Sequence, residues 1–77
     1  MHIRKDANIA LFLRTVNSCS GEVLFYTKEQ DQLNLKSALS QFIFATLTKE
    51  PGVLFSGTIV CKQPQDLEVL EEFLTEK

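Results

Sequence analysis

The chain has 77 residues, eight Lys and Arg against ten Asp and Glu, a formal charge of −2 and 44% hydrophobic residues. A chain this short makes one domain, close to the size at which a single core is barely sufficient, so association with another chain is expected from size alone. The weakly acidic balance and dispersed cations argue against the basic footprint that phosphate backbones need, and no apolar run approaches the roughly 20 residues of a membrane-spanning helix, so neither nucleic acid nor membrane is an expected partner.

The chain begins Met1-His2-Ile3-Arg4-Lys5, and Asp6, Asn8 and Arg14 interrupt the apolar run a signal segment would need. A cytoplasmic location is therefore expected. His2 is the only histidine, and a mobile terminal residue is its simplest reading. Ile9, Phe12, Leu13 and Val16 fall at i, i+3, i+4 and i+7, which predicts an amphipathic helix over residues 6–17 capped by Asp6 or Asn8. Gly21 suits the turn after it. Residues 22–27 are rich in β-branched and aromatic side chains and predict a strand, with Val23 and Phe25 facing the helices.

Residues 28–31 carry no apolar side chain and read as a hairpin connection to a short antiparallel strand over residues 32–35. From Ser37 the period changes to helical, with Ala38, Leu39, Phe42, Ile43 and Ala45 in register and Ser37 as the cap, up to about residue 47. Phe42, Ile43 and Phe44 are three consecutive large side chains that cannot all lie on one buried face, so at least one is presented outward. Residues 53–61 read as a third strand in which Thr58, Ile59, Val60 and Cys61 carry most of the propensity. Pro64 then opens a last helix, with Leu67, Leu70, Phe73 and Leu74 on its buried face and Glu68, Glu71, Glu72 and Glu76 in solvent. The expected order is α-β-β-α-β-α, an α+β fold.

Cys19 and Cys61 have neither CxxC spacing nor companions for a zinc site and are expected to be reduced and half-buried. No metal or other cofactor is expected. Nor is an enzyme, since one His, scattered carboxylates and no nucleophile beside a base leave acid-base and covalent catalysis without their parts.

Residues 11–37, above all Leu33-Asn34-Leu35-Lys36-Ser37, resemble the HPr family, the histidine-containing phosphocarrier proteins of the bacterial sugar phosphotransferase system. Leu70-Glu71-Glu72 resembles that family's C-terminal Leu-Glu-Glu, and residues 40–61 match loosely. The resemblance implies an open-faced sandwich with helices on one face of an antiparallel sheet, in a bacterial protein. It also implies an additional first strand pairing with the last at the sheet edge, which this chain starts too late to contain. Thr58, Ile59, Val60 and Cys61 would then form an uncovered edge, satisfied by strand-to-strand homodimerisation.

The family's phosphoryl-carrying His-Ala-Arg-Pro motif falls on Lys5-Asp6-Ala7-Asn8, where no residue matches usefully. Ser37 matches the serine that a kinase modifies in some members, beside Lys36, and its simplest reading is a helix cap. Lys36, Ser37, Phe42 and Phe44 are the candidate contacts for protein partners, of the phosphotransferase system or of regulation. The expected function is a regulatory or protein-binding relative that has lost the phosphoryl-carrying histidine. Two alternatives stay open: a working phosphocarrier using His2, and an oligomerisation module unrelated to sugar transport.

Overall fold

In the computed structural model, which describes residues 1–76, the chain forms four helices and five short strands. They follow in the order β1 (His2–Ile3), α1 (Ile9–Asn17), β2 (Val23–Tyr26), β3 (Gln32–Asn34), α2 (Ala38–Thr46), α3 (Pro51–Ser56), β4 (Thr58–Cys61), α4 (Pro64–Leu70) and β5 (Leu74–Thr75). Short 3-10 turns, Leu47–Lys49 and Glu71–Phe73, follow α2 and α4. β3, β2 and β4 make an antiparallel sheet in that order, and β1 pairs antiparallel with β5.

The hairpin register sets Phe25 opposite both Leu33 and Ile59. Alternation along β2 sends Val23 and Phe25 to the face where the helices pack. There they meet Phe12 and Val16 of α1, Phe44 of α2, Leu54 of α3 and Leu70 of α4 in one buried cluster. Leu24 points the other way, opposite Asn34 and Val60, and Val60 is exposed. Helices on one sheet face and a more open second face are compatible with an open-faced sandwich.

Three differences from the sequence reading have physical causes. Residues 53–61 are not one strand, because Pro51–Ser56 is a helix and only Thr58–Cys61 is extended. Pro51 at the first helical position favours that turn, and Leu54 anchors it in the core. The last helix stops at Leu70, so Phe73 lies in a 3-10 turn and Leu74 in β5, both buried, while Leu67 faces solvent.

The third difference is at the sheet edge. The N-terminal residues form β1, and the Ile59 N–H donates to the Met1 carbonyl at 2.7 Å, on the side of β4 away from β2. The edge over residues 58–61 is therefore not wholly uncovered, and the observed order gains a strand at each end, β-α-β-β-α-α-β-α-β. Ile59 itself is buried in the core, and Thr58 and Cys61 are half-buried. Of the four proposed edge residues only Val60 is presented outward.

Candidate functional site

Helix α2 has no charged residue along Ala38–Thr46. Its inner face is held by Phe44, fully buried with its ring 5.0 Å from Phe25 at 83° and 5.8 Å from Phe12. Edge-to-face contacts of this kind fix a ring's position as well as burying it. Phe44 is thus a core residue and not a partner contact, because the 100° step of the helix carries it to the opposite side from Leu39, Phe42 and Ile43. Those three are exposed at 70%, 61% and 42%. Leu11 on α1, which packs beside α2, is exposed as well.

The start of α2 is pinned to the end of α1. Gln41 Nε2 donates to Asn17 Oδ1 at 2.6 Å and to the Leu35 carbonyl at 2.7 Å. Lys36 sends its Nζ to the Cys19 carbonyl, and its backbone N–H donates to Asn34 Oδ1 at 3.0 Å. Ser37 is the N-cap, exposed, with its Oγ accepting the Ser40 N–H at 3.5 Å, a long capping bond. Lys36 and Ser37 therefore border the exposed α2 face, and the hydroxyl keeps a lone pair and its proton open to solvent.

His2 is held in place, not left in a mobile tail. It pairs with Thr75 in the β1–β5 ribbon, and its Nδ1 lies 2.7 Å from the Gly57 carbonyl oxygen. Since a carbonyl only accepts, the ring donates from Nδ1, leaving Nε2 as the other nitrogen. At the stretch aligned with the phosphocarrier motif, Asn8 caps α1 by accepting the Leu11 N–H at 3.0 Å. Asp6 is held by Arg4 in a two-point ion pair of 3.1 and 3.2 Å. Asn8 thus takes the capping role offered to it or Asp6.

Asp66 was not singled out by the sequence, yet it is a buried charge, 2% exposed. From the first turn of α4 its carboxylate accepts the Ser20 N–H at 2.9 Å, the Gly21 N–H at 2.8 Å and the Ser20 hydroxyl at 3.1 Å. These bonds from the Ser20 and Gly21 backbone hold its pKa below the ordinary aspartate value, outweighing the burial that would raise it. The signal in the sequence was an acid in the first turn after a proline, a common cap-region residue. What it clamps could not be read there, because Ser20 and Gly21 lie some 45 positions away.

Cys19 is buried and Cys61 half-buried, both unpaired. Burial raises both thiol pKa values, helped at Cys61 by the neighbouring Cys19. Both thiols are therefore held in the protonated form at neutral pH. Among the described residues no three His, Cys, Asp or Glu are placed to hold a metal ion, and no helix is long and apolar enough to cross a membrane.

Neither a protein-family model, nor a curated protein, nor a solved structure matches the chain.

Proposed function

We propose that this chain is an HPr-like protein that acts by protein-protein contact, as a regulatory or protein-binding relative of the phosphocarriers, with the outer face of α2 as its contact surface. The observation that carries the reading is the uncharged helix whose Leu39, Phe42 and Ile43 stand in solvent while Phe44 locks the opposite face into the core. Large apolar side chains grouped on one helix face, bordered by polar residues, are the usual make-up of a docking surface. The Ile59 to Met1 bond supports the HPr-like part of the reading, since the family's first strand would stand beside the last strand at that edge.

Two measurements test the proposal together. Incubation with phosphoenolpyruvate and the phosphotransferase system's first enzyme should leave the intact mass unchanged, with an authentic HPr labelled in the same tube. A phosphoryl-sized gain that disappears in His2→Ala would replace this reading with that of a working phosphocarrier. In amide spectra, adding the same enzyme should shift the resonances of Leu39, Phe42 and Ile43, and Phe42→Ser should abolish the shifts. Unmoved α2 resonances would remove the tie to that system.

A further inference from the structure

The outer face of α2 has a shape as well as an apolar character. With a step of about 100° per residue, Phe42 falls near the middle of the face opposite the buried Phe44, with Ala38 one turn before it and Ala45 one turn after. Ala38, Ala45 and Thr46 are exposed together with Leu39, Phe42 and Ile43. A large ring between two alanines is a knob with a shallow site on either side, the alternation by which facing helices interdigitate.

The same face carries no charge from Ala38 to Thr46. Contact about a two-fold axis sets a patch against its own copy, so a lysine or a glutamate on it would meet its like. On α2 nothing of that kind opposes the contact. An antiparallel pair of α2 helices with the axis near Phe42 places Ala38 of each copy beside Ala45 of the other, and each Phe42 ring above an alanine of its partner. Leu39, Phe42 and Ile43 together offer on the order of 350 Å² of exposed surface, about half of the ~800 Å² per partner in a standard stable interface. The association such an area supports is weak and visible only at high concentration.

We infer that the α2 face is self-complementary and that two copies of this chain meet there, helix to antiparallel helix, with Phe42 as the anchor. The inference rests on the same exposed face as the proposed function and gives that face an occupant while no other partner is bound, so the dimer separates before a partner docks. Because the contact is isologous, it closes at two copies. Without charge in the contact, the association does not weaken as salt rises.

The test is sedimentation of the full chain from micromolar to millimolar concentration, at low and high salt. The expected mass rises with concentration and levels off at the dimer under both conditions. Three variants at exposed positions, each checked for folding by thermal melting, locate the contact. Phe42→Ser should associate at least about tenfold more weakly. Ala38→Glu and Ala45→Lys, whose charges suit the start and the end of a helix, should each dimerise poorly alone. Mixed in equal amounts they should form a heterodimer tighter than either homodimer, because position 38 of one copy meets position 45 of the other.

A wild type that stays monomeric at millimolar concentration overturns the inference. So does a mass that climbs past the dimer, a Phe42→Ser variant that dimerises as well as the wild type, or a mixture that associates no better than its separate components. Amide shifts of α2 on adding the phosphotransferase enzyme to a wild type that does not self-associate would leave the proposed function standing while this inference falls. An α2 dimer whose resonances do not respond to that enzyme would do the reverse.

Discussion

Phe42 and Phe44 of α2 have opposite fates, and mutation should separate them cleanly. Phe44→Ala empties a ring site shared with Phe12 and Phe25 and should cost about 3–5 kcal/mol, read as a lower denaturant midpoint. Phe42→Ala, two residues earlier, removes a side chain that is mostly in water and should change stability by no more than about 0.5 kcal/mol. Gly57 shows a different constraint: a Cβ there would come within 2.3 Å of the Phe25 ring and 2.9 Å of the Tyr26 carbonyl oxygen. Gly57→Ala should therefore destabilise by about 1–3 kcal/mol, since neither a buried ring nor a strand backbone can give way. Asp66 makes stability depend on pH. Its folded pKa lies below the unfolded one, so its contribution is complete above the unfolded value of about 4 and is lost as pH falls through the depressed folded value. The wild type's denaturant midpoint should drop over that acid window, and Asp66→Asn should lie lower at neutral pH with a flatter acid limb. Parallel profiles for the two proteins would mean that the clamp to Ser20 and Gly21 contributes nothing.

At the scale of the elements, α2 is held by its packing more than by its cap. With a capping bond of 3.5 Å, Ser37→Ala belongs at the low end of cap substitutions, about 0.5 kcal/mol, and an unchanged melting temperature would mean that Ser37 does not cap α2. Helix α3 takes the place of the strand expected over residues 53–56. Val53, Leu54 and Phe55 read as strand by type, but the six residues Pro51–Ser56 form a short helix because one of them, Leu54, can reach the core from it. Propensity is a weak bias of a few tenths of a kcal/mol per residue, and burying one leucine outweighs it.

On the scale of the whole molecule, the two chain ends hold each other. His2 pairs with Thr75, Ile3 with Leu74, and the Arg4 N–H donates to the Phe73 carbonyl at 2.8 Å, while the Met1 carbonyl takes the Ile59 N–H of β4. Ending the chain at Phe73 should remove the burial of Leu74, worth about 2 kcal/mol. It should also speed hydrogen exchange at His2, which faces Thr75, while β2 stays protected. Equal protection at His2 in both proteins would mean that β5 does not hold β1. In a domain of 77 residues such terminal pairing matters because few other elements are available to cover an edge.

How much of this was legible in the chain follows the range of the interactions. Asn8 before Ile9-x-x-Phe12-Leu13-x-x-Val16, Ser37 before a second periodic run, and β-branched and aromatic residues over 22–27 specify α1, α2 and β2 by local pattern, and all three lie close to where that pattern places them. The outward face of α2 was half legible: three consecutive large residues require one outside, but only the packing of Phe44 between Phe12 and Phe25 determines which. The clamp of Asp66 on Ser20 and Gly21, the tie from His2 to Gly57 and the cover of Met1 on β4 join residues 45 to 58 positions apart. A one-dimensional pattern carries no signal for such pairs. A carboxylate, an imidazole or a backbone carbonyl finds its partner only after the helices have buried their apolar faces against Val23, Phe25 and Ile59 and brought the distant segments within hydrogen-bonding reach.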